Sequence, residues 1–372
     1  MIDFRYSPLF VGFSIFLWAM LRLILRPTKT DQFGLSDRIK MRSILICICY
    51  CLFSFNDTDW FHYQELFPGL KLGWKGHMEE IYVWIAQNLS PNYIVFRLVV
   101  WGSAFFLYLR TIKLLSVSKQ LALYFFGTIY IIWFAYARVS LAMALVYYGY
   151  ALWNSEEKRI IAKMIALCAI GASYFFHKSA LFAVAIAIVA VFMQKFPKQA
   201  IWMMLLSFPI VIVIARTQLA AFAMLDLDSA DSDMASYMAS GQNYMDASKR
   251  NMGIGAMLYS FCERFSYYGI AFVNFRCLRS QNILFIPRDI KAFMLLQLAI
   301  VAVSSIFAFD LGQNTSTLYV RLLRFAGMPT AIVMAYLYEH RLNWILIKRI
   351  VTLATCGVGY ILLYSFYISC VS

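Results

Sequence analysis

The sequence predicts an all-α, polytopic membrane protein, a single integral domain over residues 1–372 with about twelve transmembrane helices. Three observations carry this. Hydrophobic residues make up 62% of the chain and charged residues only 14%, against roughly 25% charged in a soluble domain, and mean hydropathy is +0.68. The apolar residues fall in blocks near the ~20 residues that cross ~30 Å of hydrocarbon as a helix. The 33 Lys and Arg, against 19 Asp and Glu, gather between alternate blocks, as cytoplasmic loops do. This composition excludes a soluble globule and a disordered chain. It also excludes a secreted disulfide scaffold, because the cysteines lie inside apolar runs. The net charge of +14 is broken into short clusters with no continuous basic face, so no nucleic-acid partner is expected.

The first block, Pro8–Leu25, is too long for a cleaved signal peptide and has no small-residue cleavage site after it. Ser43–Phe55 follows, short but extendable at both ends. Then come Tyr93–Leu109, Leu121–Ala137, Val139–Trp153, Ile160–Phe176 and Ser179–Met193. Ala200–Ala215, Ile254–Phe275, Ala292–Phe309, Leu318–Tyr338 and Ile350–Ile368 complete the set. Every second connection is basic. Arg26–Arg42 is the first, and the others hold Arg110/Lys113/Lys119, Lys158/Arg159/Lys163, Lys195/Lys198, Arg276/Arg279/Arg288/Lys291 and Arg341/Lys348/Arg349. Together they take most of the basic residues, which places them in the cytoplasm and both termini outside. Three outward segments then stand out. They are the 56–92 loop with an amphipathic helix near Glu79–Leu89, the long 216–253 loop, and Asp310–Thr317.

Ionisable residues inside spans need a reason, since a central Arg costs ~2.5–3.5 kcal/mol on insertion scales. Arg138 interrupts the apolar run Leu121–Trp153 at an outer turn. It reads either as a ligand-binding cation or as an Arg snorkelling to the headgroups. His177 and Lys178 form a second outer turn. The imidazole is either a satisfied polar residue or a general base, its ordinary pKa being near 6.5. Arg321 and Arg324, three apart, share one helix face. They form either an interfacial anchor or a fork for phosphate oxygens. Glu263/Arg264 reads as a structural pair, and Arg97 as a further pocket residue. The first outer loop mixes Asp57, Asp59, His62, Glu65, His77, Glu79 and Glu80 with Trp60, Phe61, Tyr63, Trp74, Tyr82 and Trp84. Such a set either holds sugar rings between aromatic faces and carboxylates or forms an aromatic belt. Its spacing matches no metal motif. The Asp226–Asp233 stretch lacks the glycine and closing glutamate of a calcium loop. Cys47, Cys49 and Cys51 spread over different helix faces. No P-loop or GxGxxG is present, so no nucleotide cofactor is expected.

The order of motifs carries a resemblance. Asp59-Trp-Phe-His-Tyr63 is followed by Glu79-Glu-Ile-Tyr82 and by Tyr136-Ala-Arg138-Val-Ser-Leu-Ala-Met-Ala144. Phe176-His177-Lys178-Ser179-Ala-Leu181 and Tyr319-Val-Arg321-Leu-Leu-Arg324-Phe come next. From about Ser54 to Met334 the chain resembles the EpsG-type branch of the Wzy polysaccharide polymerases. It differs from the family pattern beside two motif residues, with Val-Ser after Arg138 and Glu-Ile after Glu79. The resemblance implies a GT-C-like, metal-independent glycosyltransferase in the bacterial inner membrane, with its active site on the periplasmic side and no cofactor. It would transfer a glycan chain from undecaprenyl diphosphate to a hydroxyl of a lipid-linked repeat unit, making O-antigen, capsule or exopolysaccharide. A flippase and a chain-length regulator would be its neighbours. On this reading Arg138, Arg321, Arg324 and Lys178 hold the diphosphate. His177, Asp59 or Glu79 orients or deprotonates the acceptor, and Trp60, Tyr63 and Tyr82 line the glycan path. A lipid-linked oligosaccharide flippase, an O-antigen ligase and a membrane O-acyltransferase stay open as alternatives. The first would be expected to show two similar halves and charges at mid-membrane depth.

Overall fold

The computed structural model describes residues 8–26, 37–53, 60–76, 78–131, 137–155, 160–178, 180–195, 254–279, 285–308 and 322–371. Among them every regular element is a helix and there is no strand. The helices are α1 (Pro8–Leu25), α2 (Asp37–Phe53), α3 (Trp60–Lys71), α4 (Glu80–Leu89), α5 (Tyr93–Leu114) and α6 (Lys119–Phe125). A π-helical turn, Phe126–Tyr130, continues α6. Then follow α7 (Ala137–Asn154), α8 (Ile160–Phe176), α9 (Ala180–Lys195), α10 (Ile254–Arg279), α11 (Arg288–Ala308), α12 (Gly327–Glu339) and α13 (Trp344–Val371). The expected span Ala200–Ala215 and the 216–253 loop lie outside the described residues.

Among the described residues, three segments are long and apolar enough to cross a membrane by themselves: Pro8–Leu25, Tyr93–Leu114 and Trp344–Tyr367. The shortest of them rises about 27 Å at 1.5 Å per residue. Shorter apolar stretches lie at Met41–Tyr50, Ile160–Phe176 and Ala180–Gln194. The outward faces are apolar too. Leu9, Phe16 and Leu23 on α1, Ile160 and Leu167 on α8, and Leu363 on α13 are all exposed. In water such a surface would drive aggregation; against lipid it is the expected exterior. The protein is a membrane protein.

The centre of the bundle is α12. Every residue from Gly327 to Leu337 is buried, the pattern of a helix enclosed on all sides. It packs against α6, the π-turn, α10, α11 and α13.

Two of the expected spans are interrupted. Leu121–Ala137 was expected as one helix, but it widens into the π-turn at Phe126–Tyr130. The turn lies hard against α1: a Cβ on Gly127 would come within 2.5 Å of Leu21. Trp18 Nε1 donates to the Thr128 carbonyl at 2.9 Å. The expected span Leu318–Tyr338 also breaks. Phe325 and Ala326 form a turn before α12, with Pro329 in the first turn of the helix. Proline has no N–H to give the carbonyl four residues back, and Phe325 is that residue.

The helix ends sort into two groups. At one end Ser116 N–H, between α5 and α6, donates to the Asp289 carboxylate at the start of α11. Ser118 N–H donates to Glu339 at the end of α12 at 3.0 Å. Gln120 reaches the Arg26 carbonyl after α1 at 3.2 Å. Asn343 meets Cys277 near the end of α10 at 3.8 Å. These connections are the ones the charge pattern put on a common side, and Lys113, Lys119, Arg276, Arg288, Arg341 and Lys348 lie near them.

Candidate active site opposite the basic loops

Two clusters form toward the other end of the bundle. The first is built on the loop between α2 and α5. That loop was expected to hold one amphipathic helix and contains two, α3 and α4. Helix α3 ends in a Schellman turn. Trp74 N–H reaches the Gly69 carbonyl at 2.9 Å and Gly73 N–H the Leu70 carbonyl at 3.1 Å. Gly73 takes φ +89° there, a conformation glycine adopts without a Cβ clash. Helix α4 stops before Pro91, and Asn92 then caps α5 through a 3.0 Å bond from Val95 N–H.

Tyr82 docks this hairpin. Its hydroxyl donates to the Phe176 carbonyl at 3.0 Å, and its ring packs edge-on against Phe96 and Phe176. Phe176 closes α8, and His177 and Lys178 form the turn that follows. Ala180 N–H bonds the His177 carbonyl at 2.9 Å. His177 is half-buried and Lys178 is exposed. Tyr82 and Tyr63 were expected to face a glycan. Tyr82 is fully buried and Tyr63 is 4% exposed, and an enclosed ring offers no face to a sugar. Their position assigns them to holding the loop in place. Trp74 and Trp84 of the hairpin are exposed. Glu79 sits at the N-cap of α4 without a capping hydrogen bond from its side chain.

Arg97 lies in the same cluster, wholly buried. Its guanidinium stands 4.1 Å over the Trp101 ring, and Nη1 donates to Tyr93 Oη at 3.4 Å. An aromatic box of this kind stabilises a desolvated cation.

The second cluster joins α10 to the segment before α12. Arg324 Nε lies 3.5 Å from Glu263 Oε1. Adjacency in sequence predicts a Glu263–Arg264 pair. Neighbours on a helix point about 100° apart, so Glu263 turns instead to Arg324. One turn further along α10, Ser266 accepts from Tyr130 Oη at 3.3 Å, and the Tyr130 and Tyr267 rings meet with centroids 5.2 Å apart. The Tyr267 hydroxyl is buried without a hydrogen-bond partner among the described residues.

Helix α7 packs between the clusters. Its hairpin with α8 is close: a Cβ on Gly149 would lie 2.6 Å from Ile170 Cγ1 and 2.7 Å from the Ala166 carbonyl. In an antiparallel pair this register brings the first turn of α7, which carries Arg138, level with the His177–Lys178 turn. From the same helix Tyr147 donates its hydroxyl to the Phe325 carbonyl, next to Arg324. Asp59, Arg321 and the side chains of Trp60 and Arg138 lie outside the described residues. Among the described residues no group of His, Cys, Asp and Glu could hold a metal ion.

The first cluster offers an imidazole and a lysine at a helix turn, and the second a guanidinium paired with a carboxylate. That set can bind an anionic headgroup and assist proton transfer from a hydroxyl. No curated protein and no solved structure matches the chain. A model of the EpsG family matches residues 37–371. The match takes in every motif the sequence singled out, and the chain therefore belongs to the EpsG family, a family of Wzy-like polymerases.

Proposed function

We propose that the protein elongates a lipid-linked polysaccharide at the periplasmic face of the bacterial inner membrane, in a GT-C-like bundle of about twelve spans. The observation that carries this reading is the family match over residues 37–371. The packing of α7 against both the Arg324 segment and α8, the helix that ends before His177 and Lys178, supports it.

The donor is a glycan on undecaprenyl diphosphate and the acceptor a hydroxyl of a lipid-linked repeat unit. The acceptor oxygen bonds to the anomeric carbon as the bond to the diphosphate oxygen breaks. The departing electrons and negative charge go to the diphosphate, where Arg138, Arg321 and Arg324, with Lys178, stabilise them. The acceptor proton passes to His177, or to Asp59 or Glu79 in the first loop. No metal or other cofactor takes part. The open faces of Trp74 and Trp84, with the 216–253 loop, line the glycan path.

A surface-glycan ladder from a deletion strain tests this. The expected result is collapse of the ladder to single repeats, restored by the gene. A full ladder retained on undecaprenyl diphosphate would make the protein a ligase. Repeat units stranded inside the cell would make it a flippase, and an unchanged ladder would remove the polysaccharide reading.

A further inference from the structure

Arg324 and Glu263 lie on segments far apart in sequence and approach to 3.5 Å through Nε of the guanidinium. Glu263 is 7% exposed at its side chain and Arg324 is 19% exposed. A carboxylate on a membrane helix is costly unless a partner holds it, so the pairing accounts for Glu263. The backbone beside the arginine is also tied to its neighbours. Leu322–Arg324 is helical, and the turn behind it is fixed by the Tyr147 bond to the Phe325 carbonyl. On the α10 side, the Ser266 hydroxyl donates back to the Glu263 carbonyl at 2.7 Å and accepts from Tyr130. The backbone under the carboxylate is therefore braced as well.

We propose that Glu263 is a positioning residue: by holding the Nε edge of Arg324 it orients the guanidinium toward the diphosphate of the polyprenyl donor. This rests on the reading of the protein as a polymerase. An arginine without such a partner swings through many rotamers, and binding must freeze them. It would also snorkel toward the headgroups and leave the site. The carboxylate competes with the diphosphate for the same cation. However, it sits at Nε, and bidentate phosphate recognition can use the opposite edge, the parallel N–H groups of Nη1 and Nη2. Orientation therefore outweighs competition, and removing the charge weakens donor binding.

The test uses the full chain in nanodiscs, with farnesyl diphosphate as the probe for equilibrium binding and polymer synthesis as a separate readout. Glu263→Gln is expected to weaken probe binding by about five- to tenfold, the scale of freezing one long side chain. The donor KM should rise by a similar factor, with a smaller change in kcat. Glu263→Asp keeps the charge at shorter reach and should fall between the two. In an Arg324→Ala background the Glu263→Gln change should add almost nothing, because the residue it positions is gone. Equal probe binding by wild type and Glu263→Gln overturns the proposal, as does full additivity with Arg324→Ala. Should Glu263→Gln fail to fold, the Glu263→Asp protein carries the test: wild-type binding and KM would overturn the proposal. Wild-type protein that binds no diphosphate and makes no polymer would instead refute the polymerase reading.

Discussion

Tyr147 donates its hydroxyl to the carbonyl of Phe325, the acceptor that Pro329 leaves without an intrahelical donor. The break before α12 and the tyrosine on α7 are two halves of one arrangement. The proline ends the helix just after Arg324, and the phenol makes that end tolerable in a site with little water.

Tyr147→Phe keeps the packed ring and leaves the carbonyl orphaned. The expected loss is about 1–3 kcal/mol of stability, the cost of an unsatisfied buried acceptor. Thermal unfolding of the purified protein would show it as a lower melting temperature. An unchanged transition would mean that the carbonyl has another donor.

The hairpin α3–α4 should depend on Tyr82 in a comparable way. Tyr82→Ala removes the ring from between Phe96 and Phe176 as well as the bond to Phe176, and should cost about 3–5 kcal/mol. Hydrogen exchange in residues 80–89 should rise more than in α12. If both segments respond equally, the hairpin is not an independently docked unit.

Gly149 and Gly102 make a contrasting pair. A methyl at Gly149 would press on the Ala166 carbonyl and on Ile170, whereas at Gly102 it would meet nothing within 4 Å. Gly149→Ala should destabilise by about 1–3 kcal/mol, the usual cost of overpacking. Gly102→Ala should stabilise by about 0.5–1 kcal/mol through helix propensity. Melting curves of the two variants side by side decide this, and a reversal of their order would contradict the α7–α8 packing.

Orientation is open to chemical labelling. In a cysteine-free background, Lys75→Cys on the hairpin should react with a membrane-impermeant maleimide added to intact spheroplasts. Arg341→Cys, at the basic end, should react only after lysis. The opposite pattern would invert the assignment of the two faces.

The sequence made the helical class and the pairing of helix ends legible because both rest on strong signals, apolar block length and the alternation of basic loops. The bonds from Ser116, Ser118 and Gln120 join connections that the charge pattern had already placed together. The interruptions were less visible. A π-turn at Phe126–Tyr130 has no composition of its own, and its place against α1 at Gly127 shows only in three dimensions. The break at Phe325 did have a signal in Pro329, muted by the apolar run around it. Within the site, neighbours in sequence were a poor guide. Glu263 beside Arg264 suggested a local pair, and only the approach of α12's leading segment shows Arg324 as the partner. Tyr82 looked like a sugar platform because an exposed ring and a buried one read alike in a string of aromatics.

The π-helical turn makes Tyr130 a matter of counting. A π-turn holds one residue more than the α-helix it replaces, and each residue turns a helix by about 100°. Deleting Gly127 would let the segment relax to regular α-helix with Tyr130 still facing Ser266 and Tyr267. It would also remove the residue whose missing Cβ lets Leu21 approach, and with it the close seat of α1. At this place the spatial relation between α1, α6 and α10 is encoded by the number of residues in the chain as much as by their kind.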